Sequence, residues 1–404
     1  MYRQGGIFDA RRVAAVGWLC VLLAIWPSSE VRAEAIPCVS YSCVVADSGL
    51  VVSEFNPDAA RVPASMIKMM LMLLVSEGLE AGEWNLDTSI KASSKAQRLG
   101  GSQVYLKAGE SFPLRDYMHA VSVLSANDAA LAVAEGLWGS EAAYLEAANK
   151  RAADLGMSST VIRSPHGLTV GADADMTSAQ DLTILARHCV ARSEVMAWVD
   201  NETFTFRKNG RERRSTNRLQ FSMADCDGLK TGYTRAAGWC FAATAERNGV
   251  RLIAVVMGCR NVRERFEAAE QVLEEGFARM RHVRLLAAGQ EVDPEVPVEN
   301  ARENTVRLAV TQPIFAVIDT DSESDVRYLA ELPNVLRAPL EAGAIVGTLK
   351  VQVDGLTLGS SPLAVPHKLE PPAWPWKVRQ SVIKRRPKND AGGLRGEYKI
   401  IRAD

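Results

Sequence analysis

The fold of this chain is decided by one stretch, Pro63-Ala64-Ser65-Met66-Ile67-Lys68-Met69-Met70, which continues into the apolar run Leu71–Val75. A segment that is apolar almost all round is typical of a buried helix. Ser65 lies near the predicted first turn of the helix, where the N–H groups are free and the helix dipole is positive. Lys68 follows three residues later and therefore lies on the same face of the helix as Ser65. A buried lysine must be paired or have a lowered pKa, and a deprotonated lysine beside a serine activates the hydroxyl as a nucleophile without histidine. The same pattern also fits a helix-capping serine and a lysine that reaches the surface.

Two later motifs favour the catalytic interpretation. Ser125-Ala126-Asn127 follows a predicted helix, 114–124, and Lys230-Thr231-Gly232 opens a strand-like run. Ser125 stands 60 residues after Ser65 (125 − 65), and Lys230 stands 165 residues after it (230 − 65). The set Ser-x-x-Lys, Ser-x-Asn and Lys-Thr-Gly, in this order, is typical of enzymes that form an acyl-serine.

At these motifs the chain resembles the low-molecular-mass penicillin-binding proteins, the D-alanyl-D-alanine carboxypeptidases of serine peptidase family S11. Pro63–Met70 is similar to the family pattern P-A-S-x-x-K-[ML]-M, and Ser125–Ala129 resembles S-[GA]-N-D-A. Ser164–Leu168 is similar to N-P-H-G-L, and Asp227–Gly232 to D-G-[ILV]-K-T-G. The resemblance covers about residues 36–370 and is weakest over the last ninety or so.

The catalytic roles follow from the residue types together with this resemblance. Ser65 Oγ is expected to attack the carbonyl of a terminal peptide bond and to leave an acyl-serine. Lys68 is the expected proton acceptor, since no histidine lies in a comparable motif. Ser125 is expected to pass the proton to the leaving amine, while Asn127 hydrogen-bonds the acyl amide or orients Lys68.

The predicted substrate site consists of Lys230, Thr231, Gly232 and Tyr233. Lys230 and Thr231 suit a substrate carboxylate, and Gly232 is expected to leave room for a substrate strand. The resemblance implies that the N–H groups of Ser65 and Tyr233 form an oxyanion hole.

The sequence leaves three features of the site undetermined. The family commonly has His where Tyr233 follows Lys-Thr-Gly, which affects substrate choice if that side chain contacts substrate. An arginine for the substrate carboxylate has three competing candidates, Arg213, Arg214 and Arg218. His166 is interpreted as a loop hydrogen-bonding residue and not as a catalyst.

The resulting hypothesis is a D-Ala-D-Ala carboxypeptidase that trims peptidoglycan stem peptides and is acylated by β-lactams as covalent inhibitors. A DD-endopeptidase of the same family is an alternative. A class A-like β-lactamase is another, but no glutamate stands between Arg151 and Gln180 to activate a deacylating water. A non-catalytic wall-binding protein is the third. The third residue of the stem peptide is left undetermined.

Residues 1–33 have the pattern of a secretory signal peptide: early arginines, the apolar run 13–26, and small residues at 31–33. Fourteen apolar residues are short for a bilayer span, although an uncleaved anchor remains the alternative. We therefore expect an exported protein, in the periplasm or on the outer face of the cytoplasmic membrane.

Charge and cysteine content exclude several classes of function. The net charge of −1 splits into +2 for 1–33, +6 for 371–404 and therefore −9 for the middle, which argues against nucleic acid as a partner. No metal or other cofactor is expected, because the chain has no Cys-x-x-Cys pair and no clustered histidines. Export permits disulfides, and Cys38 and Cys43 are close enough in sequence to bridge, although buried reduced cysteines fit as well. The six cysteines beyond the leader are Cys38, Cys43, Cys189, Cys226, Cys240 and Cys259.

The element pattern predicts an α+β fold with a β-lactamase/transpeptidase-like catalytic domain, in which helices flank an antiparallel sheet, followed by a small all-β domain. Hairpins are predicted at 44–55 and around Asn248-Gly249, and an amphipathic helix at 266–280. We place the catalytic domain at 34–282 and the β domain at 283–370.

Residues 371–404 form a basic tail in which two tryptophans flank Pro375. The resemblance implies an amphipathic segment on the outer face of the inner membrane, and aromatic and basic residues suit an interface with anionic lipids. Pro375 and Pro387 interrupt the segment, so we expect weak, salt-sensitive peripheral binding, with a solvated tail as the alternative. Residues 388–404 are predicted to be disordered.

Overall fold

The computed structural model describes residues 36–168, 171–321, 325–353, 355–372 and 394–398. The predicted signal peptide and the apolar and basic positions of the predicted membrane segment lie outside these residues. Within the described residues, no helix has the length and apolar character that crossing a bilayer requires.

The first part of the chain mixes helices with antiparallel strands. The helices are α1 (Lys68–Glu80), α2 (Ser94–Gln97), α3 (Leu114–Ser122), α4 (Asn127–Trp138), α5 (Glu141–Asp154), α6 (Ala179–Val190), α7 (Ser193–Val199) and α8 (Val262–Arg279). The strands are β1 (Ser40–Val45), β2 (Val51–Phe55), β3 (Ser89–Lys91), β4 (Ser111–Pro113), β5 (Thr203–Phe204), β6 (Arg213–Arg214), β7 (Cys226–Thr234), β8 (Gly238–Arg247) and β9 (Val250–Cys259).

A five-stranded antiparallel sheet in the order β2-β1-β9-β8-β7 lies between two helical layers. One face packs on α1 and α3 to α7, through alternate residues such as Val44, Ile253 and Val255. The other face packs on α8, through the intervening residues such as Val45 and Leu252. This alternation is the two-residue period of a strand buried on both faces. The predicted catalytic fold is confirmed.

The predicted hairpins form as expected. Asn248 and Gly249 connect β8 to β9 with φ values of 53° and 77°, the left-handed conformation that a tight two-residue hairpin needs. The first hairpin pairs β1 with β2. The edge of the sheet that lies furthest from this hairpin is β7, the strand that carries Lys-Thr-Gly.

The predicted buried helix is α1, which begins at Lys68 after a 3-10 turn at Ala64–Ile67. Met69 to Leu73 have no exposed surface, because α1 runs through the middle of the helical layer. Ser65, in the turn before α1, is therefore held on a rigid element.

The second part of the chain is all-β and begins immediately after α8. Its strands are β10 (Met280–Leu286), β11 (Glu291–Glu299), β12 (Thr305–Val310), β13 (Ile314–Asp319), β14 (Val326–Leu332), β15 (Leu336–Arg337), β16 (Ile345–Val353), β17 (Leu356–Ala364) and β18 (Leu394–Tyr398). Seven of them form one sheet, β15-β11-β12-β17-β16-β14-β18, and β10 pairs with β13. A separate apolar cluster, which includes Val306, Leu349 and Leu363, forms the core of this part.

Two sequence-based expectations were wrong. The predicted disorder of 388–404 does not hold for β18, whose backbone pairs with the otherwise free edge of β14. The suggested bridge between Cys38 and Cys43 does not fit, because Ser40 to Cys43 alone is extended strand and spans about 10 Å, more than a disulfide allows. All six cysteines of the described chain are free thiols.

Candidate active site

The structure brings the three motifs together at the edge of the sheet. Ser65 lies in the 3-10 turn that immediately precedes α1 and packs against β7. Ala64, the residue before it, has a φ of 50°. A side chain on Gly167 would place its Cβ 2.0 Å from Ala64 O, and one on Gly232 would place its Cβ 2.7 Å from Pro63 O. Both glycines are therefore needed to let backbone approach the serine turn.

Lys68 lies beside Ser65 with its side chain fully buried. Its Nζ is 2.8 Å from Ser65 Oγ, 2.7 Å from Asn127 Oδ1 and 2.7 Å from His166 O. A charged lysine uses all three contacts as a donor. A neutral amine keeps two N–H donors for Asn127 and His166 and turns its lone pair towards the serine hydroxyl.

Electrostatics favour the neutral amine. Burial lowers the pKa of Lys68 well below its usual value, and the nearby cation of Lys230 lowers it further. Asp175 and Asp128 act in the opposite direction but are smaller effects. Lys68 is therefore poised to accept a proton at neutral pH.

The Ser125-Ala126-Asn127 loop joins α3 to α4 directly beside Lys68. Asn127 Nδ2 donates to Gly100 O at 2.8 Å, which turns Oδ1 towards the lysine. Ser125 adopts a φ of 58°, a conformation that non-glycine residues rarely take outside sites that require it. Ser125 is nearly buried, and its Oγ accepts a hydrogen bond from Lys230 Nζ at 2.9 Å.

Lys230 thus links the sheet edge to the Ser-x-Asn loop. It is 1% exposed, and besides Ser125 its Nζ contacts Thr231 O at 3.0 Å. Burial, followed by the cation of Arg265, lowers the pKa of Lys230 to about 7. The lysine is therefore close to its titration point at neutral pH, and an incoming anion would raise its pKa.

The remaining predicted binding residues lie along β7. Thr231 Oγ1 donates to Thr216 Oγ1 at 2.9 Å. The ring of Tyr233 is half exposed and stacks on Trp239, with ring centroids 4.0 Å apart. The structure gives a different reason for Gly232 than the sequence did, since the space above it is filled by the serine turn and not left to substrate.

Sequence reasoning missed two contributors to this site. The backbone oxygen of His166 holds Lys68, a role that the residue type does not reveal. Its ring stays neutral, chiefly because burial lowers its pKa to about 3. Arg265 on α8 is 4% exposed, donates to Gly232 O at 3.4 Å, and lies over Trp239 and the ring of Phe266.

Two of the three arginines proposed from the sequence, Arg213 and Arg214, have other contacts. Arg213 donates to Gln103 O at 2.7 Å, and Arg214 stacks over Phe221. Arg218 lines a shallow surface pocket near α8. Among the described residues, no group of three or more His, Cys, Asp or Glu is arranged to hold a metal ion.

The arrangement combines a half-buried serine, a buried amine with a lowered pKa, a second serine and a second buried cation. Such a set can form and hydrolyse an acyl-serine without histidine. The strand that borders it, β7, is an edge strand and offers backbone groups to an extended peptide.

Comparison with known proteins agrees with this chemistry. The family model for D-alanyl-D-alanine carboxypeptidase matches residues 28–261, and that for the C-terminal domain of penicillin-binding protein 5 matches residues 281–370. The carboxypeptidase DacF of Bacillus subtilis is 30% identical, covering 85% of this chain and 88% of its own. DacA of Escherichia coli is 30% identical, covering 81% of this chain and 82% of its own.

Solved structures of penicillin-binding proteins are also similar to this chain. Penicillin-binding protein 5 from Haemophilus influenzae is 30% identical, with a TM-score of 0.66, covering 83% of this chain and 98% of its own. Penicillin-binding protein D2 from Listeria monocytogenes, solved in an ampicillin-bound form, is 32% identical, with a TM-score of 0.55, covering 60% of this chain and 99% of its own. The chain belongs to the D-alanyl-D-alanine carboxypeptidases of serine peptidase family S11.

Proposed function

We propose that Ser65 is the nucleophile with which this serine-type D-Ala-D-Ala carboxypeptidase removes the terminal D-alanine of peptidoglycan stem peptides. Ser65 Oγ attacks the carbonyl carbon of the last peptide bond and gives its proton to Lys68. The observation that carries this proposal is the position of Lys68 Nζ, which lies within 2.8 Å of Ser65 Oγ, Asn127 Oδ1 and His166 O.

The second serine completes the proton path. After the attack, the protonated Lys68 is stabilised by Asn127 Oδ1 and His166 O. Ser125, whose hydroxyl accepts from Lys230, gives its own proton to the leaving amine of D-alanine and is reprotonated from Lys68. The C–N bond then breaks, and water hydrolyses the acyl-serine through the same groups.

Substrate binding is assigned to the β7 edge. Lys230 and Thr231 bind the terminal carboxylate, and the backbone N–H groups of Ser65 and Tyr233 stabilise the oxyanion. The exposed ring of Tyr233, supported by Trp239, contacts the leaving residue or the stem peptide where relatives commonly have histidine.

The organisation of the chain forms part of the proposal. Residues 34–282 act as the catalytic domain and 283–370 as the β domain, while 1–33 direct export to the periplasm or the outer face of the cytoplasmic membrane. The change from mixed to all-β structure after α8 supports this division. The basic segment within 371–404 makes weak contact with anionic lipid.

Labelling with a fluorescent penicillin tests the assignment of Ser65. A β-lactam mimics the D-Ala-D-Ala end, and the ampicillin-bound relative supports this inhibitor class. Ser65→Ala should abolish both labelling and D-alanine release from a D-Ala-D-Ala-terminated peptide. Ser76→Ala makes the same chemical change at a buried hydroxyl on α1 that has no hydrogen-bond partner, and it should leave both intact. Labelling that survives Ser65→Ala would refute the assignment.

The same assay separates the alternatives. An endopeptidase would cleave a cross-linked dimer faster than it releases D-alanine. A β-lactamase would turn over the penicillin quickly and lose its label. The absence of glutamate from 152–179 argues against rapid deacylation.

A further inference from the structure

A group of cysteines lies where β9 ends, away from the residues that carry the proposed chemistry. Cys38 lies two residues before the start of β1, and β1 pairs with β9 in antiparallel register, with Ser40 opposite Met257. The pairing continues beyond the strand, because Val39 N donates to Met257 O at 3.0 Å. This ladder brings Cys38 beside Cys259, the last residue of β9.

The register places the two thiols side by side, and each affects the titration of the other. The neighbouring Cys259 lowers the pKa of Cys38, and the neighbouring Cys38 raises the pKa of Cys259. Cys38 is half-buried, whereas Cys259 is 1% exposed. The pair therefore has an accessible member with thiolate character and a buried member behind it, the arrangement that favours thiol–disulfide exchange.

We infer that Cys38 and Cys259 form a disulfide once the chain meets an oxidising compartment. This inference rests on the export proposed above for its setting, but it does not depend on the catalytic roles. The oxidant is a protein or small-molecule disulfide. The Cys38 thiolate attacks one sulfur of the oxidant, forms a mixed disulfide with it, and releases the other oxidant sulfur as a thiol. The Cys259 sulfur then attacks the Cys38 sulfur and displaces the remaining oxidant sulfur. One disulfide is made and one is reduced, and the two thiol protons end on the reduced oxidant.

The other cysteines do not compete for this pair. Cys240 packs in the helical core on the opposite face of the sheet, and its sulfur accepts from Gly258 N at 3.5 Å. Cys43 lies along the extended β1 strand, beyond the reach of a disulfide from Cys38. Cys189 and Cys226 are buried in contact with backbone oxygens of Met69 and Gly228.

The proposed bond would reinforce the sheet next to the substrate edge. Cys259 pairs with Trp239 in the β8–β9 ladder, and Trp239 supports the ring of Tyr233. The chain continues from Cys259 into α8, which carries Arg265 behind β7. A covalent link between the start of β1 and the end of β9 therefore stabilises the elements that position the binding site, and it closes a long loop of the unfolded chain.

Peptide mapping tests the pairing directly. Full-length protein without its leader is equilibrated with oxidised and reduced glutathione, alkylated and digested with trypsin. The expected product is peptide 34–61 linked to peptide 252–260, the only cysteine in the latter being Cys259. Because 34–61 contains both Cys38 and Cys43, the mapping is repeated on two variants. The link should persist in Cys43→Ala and disappear in Cys38→Ala.

Thermal unfolding gives an independent readout. Oxidised wild type should unfold at a temperature roughly 5 °C or more above the reduced protein, and Cys38→Ala should show no difference between the two conditions. Cys240→Ala is the control for the neighbouring thiol, and it should show the same difference in unfolding temperature between oxidised and reduced protein as wild type. Alkylation of both Cys38 and Cys259 after oxidation, or a link from 252–260 to the Cys240 peptide 236–247, would overturn the inference. None of these measurements reads enzyme activity, so failure here would leave the proposed function standing.

Discussion

Replacing Lys230 with methionine should change how the stability of this protein depends on pH. Lys230 is 1% exposed, and the fold holds its pKa at about 7 instead of 10.5, chiefly through burial. Methionine has a similar shape and no charge. The variant also loses the hydrogen bonds to Ser125 Oγ and Thr231 O, so its stability is compared with that of wild type through the change with pH and not through the absolute difference.

The sign follows from proton binding. The folded pKa lies below the unfolded value, so between pH 7 and 10.5 the unfolded chain binds more protons than the folded one. Stability of the wild type therefore rises with pH in this window, and below pH 7 the full penalty of burying the ammonium applies. The free energy of unfolding rises by about 1.4 kcal/mol for each pH unit in this window. The slope is smaller near pH 7, where Lys230 in the folded protein is half protonated. Between pH 6.5 and 9 the free energy of unfolding therefore rises by about 2–3 kcal/mol.

Denaturant unfolding at a series of pH values measures this gain. Four tryptophans, Trp84, Trp138, Trp198 and Trp239, report on the proposed catalytic domain. The difference in unfolding free energy between wild type and Lys230→Met should shift by about 2–3 kcal/mol in favour of wild type from pH 6.5 to 9. Lys91→Met, at an exposed position on β3, is the control and should leave the pH dependence unchanged.

A constant difference between wild type and Lys230→Met across this range would refute the reasoning. It would mean that the ammonium is solvated or paired in the folded protein, and that Lys230 does not titrate near neutral pH. The proposed response of this lysine to a substrate carboxylate would then lose its physical basis.

The remaining predictions concern the base, the serine turn and the tail. Lys68→Arg should slow penicillin acylation roughly 100-fold or more, because arginine keeps its proton; an unchanged labelling rate would indicate a purely electrostatic role. Gly167→Ala should lower the unfolding temperature more than Gly156→Ala, since both positions have a φ of 78° but only the first would place Cβ 2.0 Å from Ala64 O; equal losses would contradict the clash. Replacing the lysines and arginines of 377–388 with glutamine should abolish flotation with anionic vesicles at low salt; unchanged flotation, or none by the wild type, would contradict lipid contact through these residues.

Much of the fold was accessible from the sequence because strong local signals agreed with the tertiary structure. The all-round apolar run after Lys68 is α1, and Asn248-Gly249 is the turn between β8 and β9. Boundaries were less accurate. Helix α8 begins at Val262 and not at Phe266, because the side chain of Asn261 caps it by accepting from Arg263 N and Glu264 N. The charged turn after Asn261 hides this start from a search for apolar spacing.

The candidate site was predictable where side chains carry the chemistry and not where the backbone does. Ser65, Lys68 and Asn127 lie in recognisable motifs, and Lys68 contacts the other two, while Lys230 contacts Ser125. The carbonyl of His166 reaches Lys68 from a loop about a hundred residues away, and any residue type supplies a carbonyl. The proposed pairing of Cys38 with Cys259 is of the same kind, since it is inferred from strand register, which proximity in sequence does not reveal.

The two buried lysines are better understood together than as separate parts. The charge of Lys230 is one cause of the lowered pKa of Lys68, and Arg265 in turn lowers the pKa of Lys230. A substrate carboxylate that binds at Lys230 would stabilise the ammonium there and keep it charged at neutral pH. The bound carboxylate brings a negative charge of its own, which offsets the effect of the Lys230 cation on Lys68. Burial therefore remains the main cause that keeps the amine facing Ser65 ready to accept a proton, whether or not the anionic end of the peptide is bound.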